Sequence, residues 1–131
     1  MEKYYFGHEK LTVYRNSLEF IEWVSREILN KSEKQSSVYD QLDRASTSIP
    51  LNLAEGNGKF TSKDRCRYFN IAWGSALECA ACLDILYRKG VISETLLQTG
   101  KSNLKEIVSM IIGLIRANSD RTFENADEYE V

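Results

Sequence analysis

Apolar residues recur at intervals of three and four along four successive stretches of this chain, and no stretch alternates them with the period of two that a half-buried strand needs. That pattern restricts the chain to helices. From Leu11 the spacing passes through Tyr14, Leu18, Ile21 and Ile28, with Val13, Phe20 and Val24 widening the stripe, and it predicts a helix over about 9–30, closed by the polar connector "NKSEKQSS". A second helix is expected over about 36–56, with Leu42, Ala45, Ile49 and Leu53 on one face. Pro50 falls inside it. A proline there removes one hydrogen bond and clashes with the preceding turn, so the alternatives are a single kinked helix or two short ones divided at Ile49. The apolar spacing runs through Pro50 in register, which favours the single helix and leaves the Ser46 carbonyl in need of another donor.

"GNGKF" reads as a loop, with Gly56 suited to a C-terminal cap and Thr61 and Asp64 spaced as a capping box. The third helix is then expected over about 62–89, closed by "RKG", and the fourth over about 93–117, capped by Ser93 and striped by Leu96, Leu97, Leu104, Ile107, Ile111 and Leu114. Short connections make sequential helices antiparallel. The fold class is therefore all-α: one domain of 131 residues built as an up-down-up-down four-helix bundle, followed by an acidic tail at 120–131 that lacks periodicity and is expected to fray.

The third helix constrains assembly as well. Tyr68, Ala72, Cys79, Leu83 and Leu86 share one face, whereas Trp73, Leu77, Ala80 and Ala81 lie on roughly the opposite side, and between Tyr68 and Tyr87 only Glu78 and Asp84 carry charge. A lone four-helix bundle covers one side of each helix. The second apolar side calls for another subunit, so Trp73, Leu77, Ala80 and Ala81 are the expected oligomer interface.

Charge bears on partners. The chain has a net charge of −2, but its last twelve residues hold five acids against one arginine, a local −4, so the body is +2. A locally basic face is compatible with that balance. Lys59, Lys63, Arg65 and Arg67 gather at the start of the third helix, opposed locally by Asp64, and a helix N-terminus adds its own positive field. With Phe60 as an aromatic beside them, they form either a solvated helix start or a site for nucleic acid or a protein partner. Repetition of the patch around an oligomer would favour an extended polyanion.

Other candidates point away from catalysis. Cys79 and Cys82 form a C-x-x-C pair, but inside a helix and with no second ligand pair, so small thiols packing a crowded helix explain them better than redox or zinc chemistry. His8 is the one histidine. No nucleophile-elbow, phosphate-loop, zinc-protease or dinucleotide fingerprint occurs. Arg44, Ser48, Asn52 and Glu55 line one side of the second helix, where Ser75 and Glu78 could meet them; a polar seam fixing helix register or a subunit contact is expected there rather than a paired-acid site. No enzyme activity, cofactor or metal is expected. Three cysteines, no unbroken apolar run of 18 residues and no leader-like N-terminus lead to the expectation of a cytoplasmic protein with no membrane partner.

The stretch "LDRASTSIPLNLAEGNGKFTSKDRCRYFNIAWGSALE", above all "SIPLNLAEG" followed by "RYFNIAWGSALE", resembles the bacterial four-helix-bundle proteins first noticed in intervening sequences of large-subunit ribosomal RNA genes. The same fold serves as the accessory variability determinant of diversity-generating retroelements. The resemblance covers roughly residues 9–118 and implies a homopentamer with five bundles arranged as a barrel. On the retroelement side, which "DRCRYFNIAWGSALECAACLD" favours, it implies binding of a reverse transcriptase and of template RNA in support of mutagenic complementary DNA synthesis. On the other side it implies an oligomeric protein-binding scaffold without nucleic-acid contact. RNA or single-stranded DNA is thus an expected partner under the first alternative only.

Overall fold

The computed structural model describes residues 3–31 and 37–118, so the acidic tail and the middle of the first connector lie outside the described residues. Four helices account for most of what is described: α1 (Thr12–Glu27), α2 (Ser37–Asn57), α3 (Ser62–Arg88) and α4 (Glu94–Ala117), with short 3-10 turns at Gly7–Lys10 and Leu29–Lys31 flanking α1. The described residues contain no strand. The expected helix over 9–30 is therefore shorter at both ends, because Leu11 is extended and separates the first turn from α1.

Contacts give the helix directions. Ser48 meets Ser75 while Gly56 lies against Phe69, so α2 and α3 run antiparallel. Arg65 reaches Asn118 while Asp84 reaches Lys101, so α3 and α4 do the same. Trp23 lies against Gly100, whereas Asn16 and Glu19 line a shallow cleft with Asn103 and Glu106, which sets α1 antiparallel to α4. The result is a four-helix bundle in which α2 and α3 share the most extensive interface.

Its core stacks Phe20 and Val24 of α1, Leu42, Ile49 and Leu53 of α2, Phe69, Leu83 and Leu86 of α3, and Leu104, Ile107, Ile111 and Ile115 of α4, all at most 2% exposed. Burying a side chain of this kind contributes roughly 1.5–3 kcal/mol. On α1 the buried row is Val13, Ser17, Phe20 and Val24, so the helix is rotated from the expected stripe and Leu18 faces outward. Ser17 can sit in that row because its hydroxyl donates to the Tyr14 carbonyl at 2.6 Å.

Pro50 lies within one continuous α2 and is buried, as the in-register spacing anticipates. The Ser46 hydroxyl does not turn to its own carbonyl; it donates to that of Asp43 at 3.0 Å. Gly56 has a different role from the expected cap. It is buried inside α2, and a Cβ there would stand 2.8 Å from Phe69 Cε1 and 3.0 Å from Tyr68 Cβ, so its lack of a side chain is what lets α2 and α3 close together. The conformational cap is Gly90, at φ 75°, where Gly90 N–H donates to Tyr87 and Val91 N–H to Leu86 in a Schellman arrangement. Thr61 and Ser93 cap α3 and α4 by accepting from the amides of Asp64 and Leu96, each at 3.1 Å.

The lack of an unbroken apolar run understates α3. By length and composition it could cross a bilayer, although 44% of its most apolar window is buried inside the bundle.

Candidate functional site

The basic cluster follows from the α2–α3 turn. Once Gly58 N–H has closed α2 on the carbonyls of Ala54 and Glu55, the chain reverses in four residues, and Thr61 starts α3 with its first-turn side chains splayed at the end of the bundle. Lys63 and Arg67 are exposed there, and Phe60 is fully exposed. Lys59 pairs with Glu55 at 3.3 Å, and its ammonium and the Arg67 guanidinium stand 5.2 and 5.4 Å from the centre of the half-buried Tyr68 ring. Tyr68 therefore holds two cations on one aromatic. Its place in the cluster is missed by a reading that assigns it to the core face.

Arg65 departs from the expectation. Its guanidinium is turned inward: Nη1 donates to the Asn57 carbonyl at 2.7 Å and the Lys59 carbonyl at 3.3 Å, Nη2 to Asn57 Oδ1 at 3.4 Å, and Nε to Asn118 Oδ1 at 2.8 Å. The same group lies 5.8 Å from the centre of the Phe69 ring. A planar fork suits this work, since it satisfies the carbonyls at the end of α2 and ties them to the end of α4. Arg65 thus clasps three chain segments, and the outward cations are Lys59, Lys63 and Arg67.

The structure assembles half of the expected polar seam. Asn52 Nδ2 donates to the Ser48 carbonyl and hydroxyl, both at 2.9 Å, and the Ser75 hydroxyl meets Ser48 Oγ at 2.8 Å, which fixes the register of α2 against α3. Arg44 instead donates to the Asp40 carbonyl, Glu55 turns to Lys59, and Glu78 is exposed. The paired acids Glu55 and Glu78 are not brought together at this seam.

Of the four expected interface residues, Trp73 and Ala80 are half-buried and pack against the bundle's own core, while Leu77 and Ala81 are exposed. The outward row on α3 is Ile71, Gly74, Leu77, Ala81 and Ile85, and on α2 Leu51 is exposed as well; Leu51 and Leu77 are 61% and 51% exposed. Periodicity finds two apolar sides but misplaces the second by about a quarter turn, because Trp73 is long enough to reach the core from a flanking position.

Cys79 and Cys82 are buried, and burial raises both thiols, that of Cys79 well above the ordinary range, with the charges of Cys82 and Glu78 adding to the shift on Cys79 and that of Glu78 to the shift on Cys82. Neutral, enclosed thiols suit packing. Among the described residues no three His, Cys, Asp or Glu side chains converge as a metal site.

Residues 9–113 match the family of 23S rRNA-intervening sequence proteins. Among solved structures, the chain is similar to a protein of unknown function from the S23 ribosomal protein family of Bacteroides thetaiotaomicron, at 26% identity and a TM-score of 0.74, over 80% of this chain and 99% of that one. No curated protein matches.

Proposed function

The chain belongs to the 23S rRNA-intervening sequence protein family, and on that premise we propose that it is a noncatalytic scaffold, assembled from several copies and presenting a repeated cationic rim to nucleic acid or to an enzyme that works on it. The observation that carries the reading is the outward row Ile71, Leu77, Ala81 and Ile85 on α3, with Leu51 exposed on α2, which leaves apolar side chains on the side of α3 away from its own core. Exposed apolar side chains repeated along one helix are relieved by burial against a second copy. A pentameric ring is the assembly that the family resemblance supports, and it would repeat Lys59, Lys63 and Arg67 five times around one edge. In its specific form the proposal is the accessory role in a diversity-generating retroelement, with a reverse transcriptase and template RNA as partners in the cytoplasm.

A protein-only scaffold is the second reading. It is favoured by the inward turn of Arg65 and by Glu55, which engages Lys59. Light scattering decides the assembly: five copies of a 15.0 kDa chain are expected, and a monomer mass overturns the proposal. Anisotropy of labelled RNA across a salt series separates the two readings, since a cationic rim loses affinity steeply with salt and a protein-only scaffold gives no signal.

A further inference from the structure

Gly7 lies against the end of α2, where a Cβ on it would stand 3.1 Å from Asn57 Nδ2. This contact brings the N-terminal segment "KYYFGHEK" to the end of the bundle that carries the α2–α3 turn, because Asn57 is also the residue that Arg65 holds. We propose that the two segments form one platform on which unpaired bases of a single-stranded nucleic acid stack. This rests on the reading above that this end of the molecule meets nucleic acid, and it adds a class of strand and the residues that select it.

Three aromatic side chains there are presented to solvent. Phe60 is fully exposed, and Tyr5 and Phe6 are 71% and 68% exposed. Rings that merely stabilised the fold would turn inward, as Phe20 and Phe69 do. The N-terminal rings are also held in place. The Glu9 carboxylate accepts from the amides of both Tyr5 and Phe6, and Phe6 stacks in parallel on His8. Arg15 binds the Tyr4 hydroxyl at 3.2 Å and the Glu9 carbonyl at 3.0 Å, which pins the segment to α1. A platform ordered before binding loses less entropy when a base lands on it.

Cations accompany the rings. Lys3 stands 5.3 Å from the centre of the Tyr5 ring, Lys10 is exposed on the Gly7–Lys10 turn, and Lys59 and Lys63 flank Phe60 in sequence. Two of the acids in this region, Glu9 and Glu55, are engaged by the Tyr5 and Phe6 amides and by Lys59, which leaves Asp64 as the acid opposing the loop. Aromatic faces interleaved with cations suit a single strand, whose bases are free to stack while its phosphates are neutralised. A duplex offers its phosphates and groove edges but no free base faces, since its bases are already stacked on one another. An apolar protein segment would have no use for the interleaved charge.

The test uses the full chain and fluorescence anisotropy with two labelled RNAs, a single-stranded oligouridylate of about 16 nucleotides, the upper range for one such surface, and a blunt duplex of equal length. Phe60→Ala and Phe6→Ala remove exposed rings and leave the core untouched. Each is expected to weaken single-strand binding roughly five- to hundredfold, the range for a lost base stack, with duplex binding unchanged within about twofold. Lys63→Glu with Arg67→Glu is expected to weaken both probes. If the charge-reversed protein loses affinity but the alanine variants bind the single strand as tightly as wild type, stacking is overturned and the broader nucleic-acid reading stands. If neither RNA binds wild type at low salt, both fall.

Discussion

Replacing Arg65 by alanine separates a structural cation from a binding one. The two short bonds, 2.7 Å to the Asn57 carbonyl and 2.8 Å to Asn118 Oδ1, are charge-assisted and link the ends of α2 and α4 to the start of α3. A hydrogen bond with a charged partner contributes about 1.5–3 kcal/mol, and since Arg65 is half-buried, water replaces part of what is lost. Taking the lower figure for each short bond and little for the longer two gives a destabilisation of about 2–3 kcal/mol. For a chain of this length each kcal/mol moves the midpoint by roughly 3–5 °C, so Tm should fall by about 6–15 °C. Urea titration and thermal unfolding followed by circular dichroism, at one fixed protein concentration because the proposed assembly would contribute to apparent stability, provide the measurement. Arg65→Lys should recover little, since an ammonium cannot span Asn57 and Asn118 as a fork does. A variant as stable as wild type within about 0.5 kcal/mol, the range of an ordinary surface substitution, and weakened in RNA binding to the extent expected of Lys63→Glu with Arg67→Glu, would show that Arg65 is a ligand contact and that the clasp is incidental.

Gly56→Ala should cost about 1 kcal/mol, because overpacking against the enclosed Phe69 ring outweighs the helix propensity gained, whereas Gly113→Ala, with nothing within 4 Å of the new Cβ, should gain about 0.8–1 kcal/mol; matched urea titrations that rank the pair the other way would refute this account of the α2–α3 contact. Leu77→Asp should reduce the proposed assembly to its 15.0 kDa chain with the helical circular dichroism signal retained, and a wild-type mass in light scattering would contradict it. The raised Cys79 thiol keeps its proton in the folded state. Above pH 9 the unfolded state therefore binds fewer protons than the native one, and stability should fall with rising pH by up to about 1.4 kcal/mol per pH unit for this thiol. Urea midpoints between pH 8 and 10 should show that slope and a shallower one in Cys79→Ala; equal slopes would place the effect elsewhere.

Much of the bundle is legible because helix periodicity, caps and breakers act locally. Thr61 and Ser93 cap the helices their spacing announces, and Ile49 and Leu53 keep Pro50 in register within α2. Arg65 and Gly56 are not legible in the same way. Each is specified by a partner that only the folded chain supplies, Asn118 at a separation of 53 residues and the Phe69 ring on the facing helix. Rotation about a helix axis is hard to read for the same reason. On α1, Val13, Phe20 and Val24 look like the margin of a stripe centred on Leu18, and which of two adjacent apolar rows is enclosed depends on the neighbours α2 and α4. The aromatic run Tyr4, Tyr5 and Phe6 is plain in the sequence, yet the Gly7–Asn57 contact is what relates it to the loop.

The Arg65 clasp also bears on the order in which the chain acquires its structure. Joining Asn118 to Arg65 closes a long loop whose entropy must be lost before the bond returns anything, while most of α2 and α3 meet across a turn of four residues. The α2–α3 hairpin is thus expected to form first, and the cationic end to be completed when α4 arrives. In reverse, that end opens first. Amide exchange at Asn118 and Lys59 should outpace exchange at Leu53 and Phe69, so that the end carrying the Arg65 clasp is expected to be the least protected of these elements.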